Sequence, residues 1–144
     1  MLFRSDGQRA FENSDLINLG TGQTSYRDGG AFDLRRYPGN YSLQVGFYDE
    51  AFPDFRKAAE KAAAQLRTQG EDAYFYHGPK RSLVTIGLFN DSDINVVNGS
   101  VVYSPRVKEV QKRFPYNLGN GVTVVEKVEG KKIREQPSVI VKVE

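Results

Sequence analysis

His77 is the only histidine among 144 residues and there is no cysteine, so acid–base work near neutral pH has one candidate and thiolate chemistry has none. His77 stands beside Gly78-Pro79 with no acid close to it in sequence and reads as a turn residue. The missing cysteines exclude disulfides, iron–sulfur clusters and cysteine zinc sites, and one histidine supplies an all-protein transition-metal site poorly. Asn90, Asp91, Asp93 and Asn95 alternate like the start of a calcium loop but lack its glycine and distal glutamate. Gly20-Thr21-Gly22-Gln23-Thr24-Ser25 lacks the lysine and the glycine spacing of a phosphate cradle and reads as a loop. No serine has a matched histidine and no carboxylate pair stands out, so hydrolase chemistry has no carrier. The expectation is a protein that is not an enzyme and holds no cofactor or metal.

Recognition is the chemistry left, and its candidates are Gln44, Tyr74, Tyr76, Thr85 and Arg81. Their placement follows from the elements around them. Residues 1–39 carry six of the fourteen glycines with few apolar residues and read as an extended arm; residues 40–144 read as one α+β domain. Tyr41, Leu43, Val45 and Phe47 alternate with Ser42, Gln44 and Gly46, the period of a half-buried strand. Phe55, Ala59, Ala62 and Leu66 then recur at helical spacing, with Gly70 as a stop. Strands are predicted over 73–77 and 82–89, a small hairpin around Asn98-Gly99, and a second helix from Ser104-Pro105 to about Phe114, closed by 117–121. Val122 to Val128, a turn at Glu129-Gly130 and a terminal strand over 138–143 complete the chain.

This order predicts a ferredoxin-like (βαββαβ) antiparallel sheet with both helices on one face, an additional C-terminal strand and an N-terminal arm. Parity then buries Leu43, Val45, Ala73, Phe75, Val84 and Ile86 and sends Ser42, Gln44, Tyr74, Tyr76, Leu83 and Thr85 to an open second face. Phenol rings beside an amide and hydroxyls suit a sugar, whose apolar C–H faces are edged by hydroxyls. Arg81, with Lys80 and His77, stands at the rim for a carboxylate.

Tyr41-Ser-Leu-Gln-Val-Gly-Phe-Tyr48, an Ala-rich helix with Leu66 and Gly70, and Ser82-Leu-Val-Thr-Ile-Gly-Leu-Phe89 together resemble the SPOR (sporulation-related repeat) domain. The resemblance covers about residues 41–89 and, in element order alone, 104–128. It implies a non-enzymatic module of the bacterial cell envelope or periplasm that binds peptidoglycan glycan strands at division sites, with Gln44 on the glycan-contacting face. The chain departs from that pattern at Phe47, Leu83, Thr85 and Leu88, in the insertion over 90–104, and beyond 128.

Two other readings remain. RNA-recognition modules share this element order and stack bases on sheet aromatics, but Lys80 to Gly87 lacks their aromatic pair. The formal charge of +2, from 20 basic and 18 acidic residues, also gives no strong field for nucleic acid. The third reading is an assembly domain, with a protein partner or a second copy engaged through the arm or the terminal strand. The first residues lack the ~7–15 apolar residues of a secretory signal, so for an exported protein the export segment is expected to lie upstream or to have been removed. No run reaches the ~18 apolar residues of a spanning helix, and membrane insertion is not expected.

Overall fold

Alternating apolar residues build the strands and an alanine-rich stripe builds the main helix. The computed structural model describes the backbone of residues 16–18, 32–128 and 131–144. In chain order the elements are β1 (Leu16–Asn18), β2 (Tyr41–Asp49), α1 (Phe55–Thr68), β3 (Ala73–His77), β4 (Arg81–Phe89), β5 (Ile94–Val97) and β6 (Ser100–Tyr103). Then follow α2 (Pro105–Arg113), β7 (Leu118–Gly119), β8 (Val122–Thr123), β9 (Val125–Val128), β10 (Lys131–Glu135) and β11 (Val139–Lys142).

The architecture is α+β, and the main sheet runs β1-β11-β2-β4-β3. It is mixed rather than purely antiparallel, which corrects the expectation. β1 joins β11 in parallel, and β7 lies parallel to β2 at Gly46 and Phe47. Neither strand has an alternating apolar run to announce it, and each is held by backbone pairing to a neighbour that does. β5–β6 and β9–β10 are separate hairpins; the expected turn at Glu129-Gly130 lies outside the described residues, as does the loop 20–25.

Leu43, Val45, Phe75, Val84 and Ile86 of the sheet pack in one cluster with Ala59 and Ala63 of α1 and Val107 of α2. Alanines at the contact let α1 lie close to the sheet. Arg67 near its end donates to the Ala73 carbonyl at 2.7 Å and stands over the Phe32 ring at 3.6 Å.

β4 carries an extra residue against β2 between Ile86 and Phe89, where Gly87 takes φ +84°. The bulge is bonded on both sides: the Gly87 amide donates to the Asp72 carbonyl at 2.8 Å and Ser42 Oγ donates to the Gly87 carbonyl at 2.6 Å. A Cβ here would also stand 2.6 Å from the Phe89 ring. The β5–β6 hairpin turns on Asn98 and Gly99, both at positive φ. Its base is tied by Asp93, whose carboxylate accepts from Arg106 Nη2 at 2.9 Å, Ser104 Oγ at 2.7 Å and the Asn90 amide at 3.0 Å. The supposed calcium residues are therefore used internally: Asn90 and Asp93 form a capping box and Asp91 accepts from the Tyr41 hydroxyl.

Gly87→Ala is expected to cost about 1–3 kcal/mol in thermal or urea unfolding, from the unfavourable φ and the ring clash together; an unchanged midpoint would refute this account of the bulge. The Arg106 guanidinium holds the Asp93 carboxyl well below the usual range, with the Ser104 and Asn90 bonds adding and burial opposing. A carboxyl lowered in the fold contributes stability that is complete above its unfolded value of ~3.9 and fades as pH falls below it. Asp93→Asn should therefore be less stable than the parent by about 1–3 kcal/mol near neutrality, with the gap closing in strong acid. Urea midpoints across a pH series check this, and a gap independent of pH would contradict it.

Candidate functional site

β3, β4 and the first part of β2 obey the expected parity, whereas a register shift between Gln44 and Gly46 turns Phe47 to the second face instead of the first. That second face is not open. Gln44 pairs with Thr85, which pairs with Tyr74 on its other side, and Phe47, Leu83 and Tyr76 form the next row. Gln44 is 6% exposed, Tyr74 5%, Tyr76 7% and Thr85 0%. The cover includes residues 32–40. Leu34 is fully buried in a cluster with Tyr74, Tyr76, Leu83, Val141 and Val143, and Tyr37 meets Tyr74 edge-on at 5.4 Å. Backbone bonds fix both ends of this segment: the Phe75 amide donates to Phe32 O, the Gly39 amide to Val143 O and the Val143 amide to Asn40 O. Exposed, these large side chains would leave an extensive apolar surface, and Leu34 and Tyr37 remove it from water. Part of the supposed arm therefore belongs to the packed body, and the open platform is corrected to a second buried layer.

Within that layer the predicted contact residues serve the fold. The Tyr74 hydroxyl donates to Asp72 at 3.1 Å, and its pKa is pushed up to about 12, by burial first and then by the Asp72 charge. Burial raises the Tyr76 phenol as well. Gln44 Nε2 donates to Asn117 Oδ1 at 3.3 Å, and the Thr85 hydroxyl has no hydrogen-bond partner among the described residues. Arg81 is separate: exposed at the start of β4, it lays its guanidinium over the Phe47 ring at 4.2 Å.

His77 is also placed differently from its expectation. It ends β3 on the helix side, 3% exposed, with Nδ1 at 2.7 Å from Ser82 Oγ and Nε2 at 2.7 Å from Glu60 Oε2. The partner acid comes from α1, seventeen residues back, beyond the reach of local inspection. Serine, histidine and carboxylate in line resemble a nucleophilic triad, yet Ser82 is 0% exposed. The chain of bonds ties α1 to the β3–β4 pair, and Arg56 adds a bond to the Gly78 carbonyl at 3.1 Å.

The accessible site lies on the helix side. A groove of about 360 Å³ runs between α1, β2 and residues 114–121. Val45, Val84, Ala62 and Leu66 form its floor, and the short side chain of Ala62 leaves the space unfilled. Phe114, Pro115, Tyr116 and Leu118 make the far wall, Tyr48 stands at one end, and Gln65, Gln69 and Arg113 border it. Tyr116 is 46% exposed and Leu118 39%. Arg113 is engaged by Glu71 at 2.9 Å and Glu109 at 3.2 Å.

Polar bonds from the sheet hold the far wall in place. Asn117, which receives Gln44, donates to Gln136 Oε1 at 2.6 Å. Asn120 exchanges two 3.0 Å bonds with Asp49, and its amide donates to the Phe47 carbonyl at 2.8 Å. Gly46 lets β7 approach, because a Cβ there would stand 3.2 Å from Leu118 O. Gln44 thus acts on the groove from behind, by positioning its wall. In sequence, Asn117 to Gly121 reads as the close of a helix; the asparagines among its glycines are turn formers, and their long-range partners leave no local signal.

Gln44→Ala is expected to lower stability by about 1–2 kcal/mol in urea, because Asn117 Oδ1 loses its donor inside the protein. A variant with the parent midpoint would show that the bond contributes nothing. Comparison of the chain with protein-family models, with curated proteins and with solved structures finds no match in any of the three.

Proposed function

We propose that this chain is a non-catalytic glycan-binding module whose seat is the helix-side groove rather than the sheet face. The carrying observation is the groove itself, where the Tyr48, Phe114 and Tyr116 rings meet the exposed amides of Gln65 and Gln69. Flat rings accept the apolar faces of sugar rings, and an amide both donates to and accepts from their hydroxyls. The resemblance of residues 41–89 to the SPOR domain supports peptidoglycan glycan strands as the ligand and the bacterial envelope as the setting. Support for the finer, ferredoxin-like reading comes from the strand order β11-β2-β4-β3, with β2-α1-β3 and β4-α2-β11 as the two halves of the repeat and β1 and β7 as additions.

A non-catalytic role agrees with the sole histidine being engaged on both ring nitrogens by Ser82 and Glu60. The nucleic-acid reading loses its support, because Tyr74 and Tyr76, on which bases would stack, lie under residues 32–40.

Pull-down with peptidoglycan sacculi, or titration with an N-acetylglucosamine oligosaccharide followed by NMR, tests the proposal. Tyr116→Ala should weaken binding about tenfold, the loss of one stacked ring, and leave the melting temperature nearly unchanged. Tyr76→Ala should act on stability instead. Full binding by a folded Tyr116→Ala variant would remove the groove as the seat.

A further inference from the structure

A second cavity of about 320 Å³ adjoins the first and shares Tyr48, Ala62 and Gln65 with it. The two form one trough along α1, which rises about 22 Å from Asp54 to Gln69. This is room for an extended ligand rather than a single ring. The chemistry changes along its length. At the near end Phe52, 37% exposed, sits edge-on to Tyr48 at 5.0 Å, and Lys57 and Lys61, one turn apart, line the same cavity.

Both lysines are exposed, and neither makes an ion pair among the described residues. Arg113 at the other end is neutralised by Glu71 and Glu109. Asp54 is the acid lining the near cavity, so two basic residues and one acidic residue border it. An exposed ring beside an uncompensated positive charge complements a sugar that carries an acid.

We infer that the near end of the trough is a carboxylate subsite, fitted to an acidic sugar unit of a glycan whose neutral units occupy the cavity at Phe114 and Tyr116. This rests on the glycan-binding reading of the groove. Lys57 and Lys61 would meet the carboxylate while Phe52 and Tyr48 meet the ring. The strand is then read in one direction, acid toward the start of α1.

Full-length protein titrated with a hyaluronan hexasaccharide, which carries a carboxylate on alternate units, and with the uncharged chitohexaose separates the two statements. The acidic oligosaccharide should bind about five- to tenfold more tightly at low salt, as expected of two exposed charge contacts, and the difference should shrink with added salt. A Lys57→Gln, Lys61→Gln double variant should lose that preference and keep the binding of chitohexaose. Equal affinity for the two sugars, or a preference that survives in the double variant, overturns the subsite and leaves the glycan reading standing. Binding of neither sugar overturns that reading and the subsite with it. Tighter capture of a polyglutamate peptide than of hyaluronan, abolished in the same variant, would overturn the assignment in favour of an acidic peptide.

Discussion

The central strands β2 and β4 must be buried on both sides, and the rest of the arrangement follows from that. One side of the sheet meets the helices; the other carries Leu83 of β4 with Tyr74 and Tyr76 of β3 and Val141 of β11, too much apolar surface to leave in water. Residues 32–40 therefore cross it, with Leu34 inside. Every polar group caught between these layers then needs an internal partner. Ser42 finds the Gly87 carbonyl and Gln44 finds Asn117. Closing one face thus fixes the bulge in β4 and anchors the segment that borders the groove.

Much of the scaffold was legible because it is carried by local periodicity. The Tyr41–Asp49 strand, the helix from Phe55, the strands at 73–77 and 81–89, the Asn98-Gly99 hairpin and the helix from Pro105 stand within a residue or two of where alternation, helical spacing and turn residues put them. The facing of side chains on β3, β4 and the first part of β2 was legible as well, but not that of Phe47, which the bulge after Gln44 turns to the other face. Exposure was not. Parity says which way Gln44 and Tyr76 point, whereas their burial depends on Leu34 and Tyr37, two residues in a stretch of low apolar content.

The candidate site was illegible for a related reason. Its far wall is built from Phe114 to Leu118, a stretch whose one proline and one asparagine signal the end of a helix and nothing more. Its geometry comes from Gln44, Asp49 and Gln136, distant in sequence from the asparagines they hold. His77 shows the same limit, since Glu60 and Ser82 reach it from another helix and another strand. Residue types on the sheet were read as a face for sugars; which surface stays exposed follows from long-range pairing. Gln44 is the clearest case, relevant to the groove by steadying its wall from the buried side.

The β5–β6 hairpin stands apart from this economy. Its base is stitched by the Asp93–Arg106 pair, while Val96, 70% exposed, and its neighbours toward the tip project past the body. Residues 95–102 include no charged side chain and contribute little to the interior, so the protein carries a stiff stalk whose crown is free to be rewritten. A peptide epitope or a reporter group spliced into that crown would replace none of the residues that line the trough along α1, giving a handle for immobilisation that leaves both layers intact.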